Sequence, residues 1–105
     1  HYFEGWSELV AGCERLAQAG IELAAVAGNH DVRVLPRLCE VVRALRLVGA
    51  GGAWQALELC GGRLRVVGWS YVRAQADCDP SADPALASLL ARPFDGPTLG
   101  LLHGD

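Results

Sequence analysis

The sequence Ile-Glu-Leu-Ala-Ala-Val-Ala-Gly-Asn-His-Asp, residues 21–31, decides the fold of this chain. Its first seven residues are apolar except Glu22, a pattern typical of a parallel strand that is covered on both faces. Polar side chains follow at once, and α/β proteins keep their chemistry at the carboxyl ends of such strands. We therefore predict that a buried strand delivers Asn29, His30 and Asp31 to the edge of a sheet.

The rest of the chain alternates helix and strand patterns, which is typical of an α/β protein. Glycine pairs separate the later strands, and Gly61-Gly62 predicts a hairpin. The first half of the chain predicts a helix over 7–19 that ends at Gly20, a strand over 21–27, and a helix with Pro36 in its first turn and with Leu35, Leu38, Val42 and Leu45 on one stripe. The second half predicts strands over 47–50, 54–60 and 63–69, a loop over 76–83, a helix over 84–91 capped by Asp83, and a strand over 98–102.

Length and composition are those of one globular domain with a modest core, since the chain has 105 residues of which 51% are hydrophobic. We predict an α/β fold in which helices flank a mixed sheet. No apolar stretch reaches the length of a membrane span and the start lacks a signal-peptide pattern, so we expect a cytoplasmic protein. Because the chain lacks an initial methionine and ends abruptly at His103-Gly104-Asp105, we expect a piece of a longer protein, with His1 as a surface or terminal residue.

The charge and the cysteines exclude two kinds of site. The net charge is −3 and nine arginines are scattered along the chain, so we expect no basic patch that grips nucleic acid without metals or further sequence. The four cysteines have no pair at metal-ligand spacing, which argues against a zinc site. We expect buried thiols, and the sequence leaves a disulfide open; the cysteines are Cys13, Cys39, Cys60 and Cys78.

An amide oxygen, an imidazole and a carboxylate at the end of one strand are the groups that metal-assisted phosphate chemistry uses. His103 follows the last predicted strand and would lie at the same edge if the two strands run parallel. Each residue also has an ordinary structural interpretation. Asn29 is a common turn former, Asp31 could cap the next helix, and a single histidine at a strand end is often structural.

The tetrapeptide at residues 28–31 resembles the Gly-Asn-His-Asp motif of the calcineurin-like metallophosphoesterases, and the Leu-Leu-His-Gly segment around His103 is similar to a later segment of that family. The resemblance implies that Asn29 and His103 are metal ligands. It implies that His30 approaches the phosphate, where it stabilises charge or protonates the leaving oxygen. Asp31 would then be the carboxylate that orients the imidazole of His30.

The same resemblance implies the rest of a mechanism. The fold would be part of a four-layer α/β/β/α sandwich, and two divalent metal ions, Mn²⁺ first and Mg²⁺ or Fe as alternatives, would activate water to hydrolyse a phosphodiester. The order of elements and the Gly-Trp-Ser-Tyr segment at 68–71 look most like the SbcD-type DNA repair exonucleases. Such a protein would act on DNA ends and have a partner ATPase.

The chain departs from the family pattern at three places. It lacks the upstream Asp-x-His segment, the Gly-Asp segment with the bridging aspartate and the downstream Gly-His-x-His segment. The resemblance therefore covers the middle of a family domain, residues 1–105 form a single partial metallophosphoesterase domain, and we expect them to be inactive or nearly so alone. Asp105 would be a neighbour of the site without an assigned role.

Two alternatives stay open beside a DNA-directed enzyme. One is a phosphoesterase that acts on a small molecule, such as a nucleotide or a cyclic phosphodiester. The other is a non-catalytic α/β interaction module that retains the motif without a working metal centre. The sequence leaves the substrate, the metal and the oligomeric state open.

Overall fold

The computed structural model of the protein describes residues 2–74 and 78–104. The predictions at His1, at Asp105 and at residues 76–77 of the loop lie outside the described residues. In chain order the elements are α1 (Tyr2–Gln18), β1 (Leu23–Ala25), α2 (Val34–Val41), β2 (Leu45–Leu47), β3 (Gln55–Leu59), β4 (Leu64–Trp69), a 3-10 turn (Pro80–Ala82), α3 (Pro84–Ala91) and β5 (Thr98–Leu102). The predicted α/β class is confirmed.

Helix α1 begins earlier than the sequence pattern indicated, at Tyr2 rather than Ser7. Trp6 packs against the buried cluster beneath the helix, so the apolar face extends toward the amino terminus. The helix ends at Gln18, one residue before the predicted end, and the predicted stop at Gly20 is confirmed. Gly20 has a φ of 79°, and its N–H donates to the carbonyl of Ala17 at 3.0 Å, a helix stop for which glycine is suited.

The strands β1 and β2 form a parallel pair in which Leu23 lies opposite Leu45. Their main packing partners are α1 and α2, and the buried cluster consists of Cys13, Leu38, Val42 and Leu45. The prediction of a strand over 47–50 was two residues too late, because Leu45 is the first residue of β2 and not part of the helix. A buried leucine fits a helical stripe and a strand face equally well, so its apolar character alone could not place the boundary.

The predicted hairpin is confirmed. Strands β3 and β4 pair antiparallel, with Leu59 opposite Leu64, and Gly61 and Gly62 both have positive φ in the turn between them. Strand β5 then pairs with β4 in parallel, which gives a three-stranded mixed sheet in the order β3-β4-β5.

In the described part of the chain the strands form two sheets rather than one mixed sheet, because β1 and β2 pair separately. The two sheets meet at Gly68, near the end of β4. A Cβ atom built on Gly68 would lie 2.9 Å from the Cγ1 atoms of both Val26 and Val48, closer than real side chains approach. Glycine at this position therefore allows the residues that follow β1 and β2 to pack directly on β4.

The expectation of buried thiols is confirmed in full for Cys13 alone. Cys13 is buried and Cys39 is half-buried, whereas Cys60 and Cys78 are exposed, and all four are free. Burial, with a smaller contribution from Cys13, raises the pKa of the Cys39 thiol, so this group stays protonated and packs as a small apolar side chain. Cys60 is exposed because it lies in the hairpin turn, with a φ of 56°.

Helix α3 has the predicted bounds and the predicted cap. The carboxylate of Asp83 accepts a hydrogen bond from the N–H of Ala85 at 2.9 Å, and Pro84 occupies the first helical position. The indole N–H of Trp54 donates to the carbonyl of Pro80 at 2.8 Å and anchors the turn that precedes the helix. Among the described helices, none has the length and apolar character that crossing a bilayer requires.

Candidate functional site

The carboxyl ends of three strands are held together by backbone hydrogen bonds. The N–H of Ser70, just past β4, donates to the carbonyl of Gly49 at 3.0 Å, and the N–H of Tyr71 donates to the carbonyl of Ala27 at 3.0 Å. These bonds join the end of β4 to the ends of β2 and β1. Strand β5 runs parallel to β4 and therefore ends at the same edge.

Ser70 is the buried polar residue at the centre of this junction, with 1% of its surface exposed. Its Oγ accepts a hydrogen bond from the N–H of Ala27 at 3.0 Å and donates one to the carbonyl of Val48 at 2.6 Å. One hydroxyl thus satisfies two backbone groups on two other strands. Ser70 fixes the backbone immediately before the Gly-Asn-His-Asp loop.

The loop turns directly after this fixed point. Gly28 is buried, Asn29 is half-buried, and His30 and Asp31 are exposed. The N–H of Asp31 donates to the carbonyl of Gly28 at 3.1 Å, and the N–H of Gly28 donates to Oδ2 of Asp31 at 3.4 Å. The loop therefore closes on itself and presents His30 to solvent.

Asp31 has neither of the two contacts considered from the sequence. Among the described residues no hydrogen bond joins Asp31 to His30, because the bond of its carboxylate goes to Gly28. It is not the cap of α2 either, since the N-cap position is Arg33 and has no side-chain cap bond. The geometry assigns Asp31 to closing the turn that carries His30.

His103 lies against the loop, as predicted, although the strands that precede the two segments, β5 and β1, belong to different sheets. A Cβ atom built on Gly28 would lie 2.8 Å from Cγ and Nδ1 of the His103 ring, so the ring packs directly on the glycine backbone. Only glycine leaves room for this contact, which accounts for glycine as the first residue of the loop. The structure thus brings together the two sequence segments from which the site was predicted.

Tyr71 is a second neighbour of His103. The two rings meet edge to face, with centroids 5.9 Å apart and planes at 82°. Tyr71 meets Trp69 in the same manner, at 5.1 Å and 74°. Such edge-to-face pairs stabilise ring positions, so His103 is held between the glycine backbone and an aromatic ring.

Two side chains at the strand ends are of types that can bind a divalent metal ion. An amide oxygen and an imidazole nitrogen, from Asn29 and His103, suit Mn²⁺ or Fe. Within residues 2–74 and 78–104, no group of three or more His, Cys, Asp or Glu side chains is placed to hold a metal ion. The described residues therefore do not form a metal centre by themselves, and the carboxylate ligands of a two-metal centre would have to come from elsewhere.

Sequence reasoning did not identify Ser70 as the residue that joins the strand ends. The sequence gives little indication of this role, because a serine between two aromatic residues at the end of a strand is also typical of a loop. Tyr71, the last residue of the Gly-Trp-Ser-Tyr segment, lies against His103 in the structure.

Comparisons with known proteins give no relative for this chain. No protein-family model, no curated protein and no solved structure matches it.

Proposed function

We propose that this chain is part of a metal-dependent phosphoesterase that hydrolyses phosphodiester bonds. The observation that carries the proposal is the packing of the His103 ring on Gly28, which joins the Gly-Asn-His-Asp loop to the Leu-Leu-His-Gly segment. The two segments are far apart in sequence and both resemble the same enzyme family. The family's carboxylate-bearing segments are absent from these 105 residues, so the complete centre belongs to a longer protein.

In this proposal Asn29 and His103 would hold a divalent metal ion, and the chemistry it would supply is the activation of water and the neutralisation of phosphate charge. His30 is exposed beside them and donates a proton to the leaving oxygen, a step that an imidazole performs well. Asp31 acts by closing the turn that carries His30, through its bond to Gly28. The edge-on Tyr71 ring holds His103 in place.

The proposal extends to the fold of the whole domain. The parallel pair β1–β2 and the mixed sheet β3–β5 would be portions of the two inner layers of a four-layer α/β/β/α sandwich. Helices α1 and α2 would belong to one outer layer. The substrate class that we favour is DNA ends, by the resemblance to SbcD-type exonucleases, and such an enzyme would act with a partner ATPase.

The first test is hydrolysis of an aryl phosphodiester in the presence of Mn²⁺ by the full-length protein and by this chain alone. We expect turnover by the longer protein and little or none by the chain alone. The His30→Ala variant of the longer protein should lose about 10²- to 10⁴-fold in kcat, because it removes a general acid. Arg37→Ala, at an exposed position on α2, is the control that should keep full activity.

A second measurement separates metal binding from catalysis. In titrations with Mn²⁺, Asn29→Ala should weaken binding to the longer protein, whereas Gln18→Ala, which removes an exposed amide on α1, should not. Absence of turnover with Mn²⁺, Mg²⁺ and Fe²⁺ would contradict the proposal and favour the non-catalytic module. Turnover of a cyclic phosphodiester but not of linear duplex DNA would favour the small-molecule enzyme.

A further inference from the structure

A cavity of about 190 Å³ lies at the opposite end of β4 from Ser70. It is bounded by the facing strand β3, by the start of β4 and by the segment that follows α3. Its lining residues are Ala56, Glu58, Arg65, Arg92, Pro93 and Phe94. None of these residues belongs to the candidate phosphoesterase site, so ligand binding in this cavity is independent of the phosphoesterase proposal.

Arg65 is fixed at the wall of this cavity. Its Nε donates to Oγ1 of Thr98 at 2.9 Å, and its Nη1 donates to the carbonyls of Arg92 at 2.9 Å and Leu89 at 3.2 Å. Its guanidinium also lies 5.3 Å from the centre of the Phe94 ring. Within the described ranges, Nη2 has no hydrogen-bond partner, so a preorganised guanidinium keeps two N–H donors for a ligand.

The other charged residues of the cavity define the charge of its ligand. Arg92 supplies a second guanidinium, for which the described part of the chain contains no acceptor. Glu58 lies opposite Arg65 in the β3–β4 register, and no ion pair between the two is found among the described residues. Two guanidinium groups and one carboxylate give the cavity a net charge of about +1 at neutral pH, so the cavity attracts anions.

We propose that this cavity binds a small organic monocarboxylate. Nη2 of Arg65 would donate to one oxygen of the carboxylate, and the guanidinium of Arg92 would donate to the other. The apolar part of the ligand would pack against Phe94 and Pro93. An inorganic anion has no such part and would leave this space unfilled. Glu58 repels a dianion about twice as strongly as a monoanion, which offsets part of the extra attraction that a dianion gains from the two arginines.

The test is calorimetric titration of the protein with benzoate, acetate and sulfate at constant ionic strength and pH 7. We expect saturable binding of benzoate and weaker binding of acetate and of sulfate, because neither of these has the ring that Phe94 and Pro93 would contact. Arg92→Gln should weaken benzoate binding about tenfold. Arg43→Gln, which removes an exposed arginine after α2, should leave it unchanged.

Glu58→Gln tests the selectivity. Removing this carboxylate should strengthen sulfate binding more than benzoate binding and so narrow the difference between the two ligands. Arg92 and Glu58 are both exposed and have no described side-chain bond, so their variants should fold, which circular dichroism would verify. The proposal would be overturned by non-saturable benzoate binding, by equal losses in Arg92→Gln and Arg43→Gln, or by sulfate binding as tightly as benzoate to the unmodified protein.

Discussion

The two ends of β4 are tied to their surroundings by different chemistry. At the carboxyl end, the neutral Ser70 hydroxyl is buried and joins the residues that follow β1 and β2. At the amino end, the charged Arg65 guanidinium is half-buried and joins β5 to the end of α3. Each residue bonds to two other segments, but Ser70 has no spare donor, whereas Arg65 keeps one nitrogen without a described partner.

The difference shows that the degree of burial decides whether a hydroxyl or a guanidinium can link the strand to its neighbours. A hydroxyl can be enclosed completely once its donor and acceptor capacities are used, whereas a guanidinium has five donors and a charge that is costly to desolvate. The carboxyl end is therefore rigid and closed beneath the candidate site. The amino end remains open enough to hold a cavity.

The largest effect on stability should come from Gly49→Ala. This substitution tests how tightly the residues around the carboxyl end of β4 are packed. Gly49 has a φ of 75°, and an added Cβ atom would lie 2.4 Å from the carbonyl oxygen of Gly68. We expect a loss of at least about 3 kcal/mol in the free energy of unfolding, since the clash is with backbone. The measurement is urea denaturation.

Gly51→Ala is the matched control for that substitution. Gly51 has a similar φ of 77°, but nothing lies within 4 Å of the added atom. It should therefore cost only the strain of a left-handed alanine, about 1–2 kcal/mol. Equal losses in the two variants would show that packing at the carboxyl end is not tight.

The next effect should come from Ser70→Ala. This change leaves the buried N–H of Ala27 and the carbonyl of Val48 without their side-chain partner. We expect a loss of about 2–3 kcal/mol in unfolding free energy, because unpaired buried polar groups are costly. Ser88→Ala, at an exposed position of α3, should change stability by less than about 0.5 kcal/mol; a similar small value for Ser70→Ala would refute its linking role.

Arg65→Lys should have a smaller effect at the other end of β4. Lysine keeps the charge but cannot reproduce three directed bonds to Thr98, Leu89 and Arg92. We expect a loss of about 1 kcal/mol, since the group is half-buried and water can replace part of what is lost. Chemical denaturation of Arg43→Lys provides the reference, and a larger loss than that of Ser70→Ala would reverse the proposed ranking of the two ends.

The smallest effect on stability concerns Asp79, which lies in the segment between β4 and α3. Hydrogen bonds from the Ser81 hydroxyl and N–H lower the pKa of this exposed carboxyl. Because the folded pKa is the lower one, the stabilisation is present above the unfolded pKa and is lost as the pH falls through the folded value. Carboxyl NMR titration should show the Asp79 pKa rising in Ser81→Ala; an unchanged midpoint would contradict this cause.

The sequence predicted those parts of the fold that depend on local chemistry. The cap at Asp83, the stop at Gly20 and the glycine turn of the hairpin each follow from the preferences of single residues. The bounds of β5 were predictable because an apolar run stands between a proline-containing turn and a polar end. The meeting of His103 with the Gly28 loop was predicted from strand ends that share an edge, but in the structure the two strands lie in different sheets whose ends are joined at Ser70 and Tyr71.

The features that sequence reasoning missed depend on contacts between distant segments. The division into two sheets arises where Val26 and Val48 pack on Gly68, and no local pattern records that approach. Ser70 acquires its role only because two other strands end beside it. The bond of Asp31 to Gly28 instead of His30 likewise reflects the shape of a closed turn, which residue types alone do not specify.

The linking role of Ser70 also bears on the order in which the molecule assembles. Its bonds to Ala27 and Val48 span 43 and 22 residues of chain, whereas the hairpin β3–β4 closes through its own short turn. Long loops form later than short ones because closing them costs more chain entropy. We therefore expect the hairpin to form early and the junction beneath the His30 loop to form late, so that the folding transition state should be more sensitive to substitutions in the hairpin than to loss of the Ser70 hydroxyl.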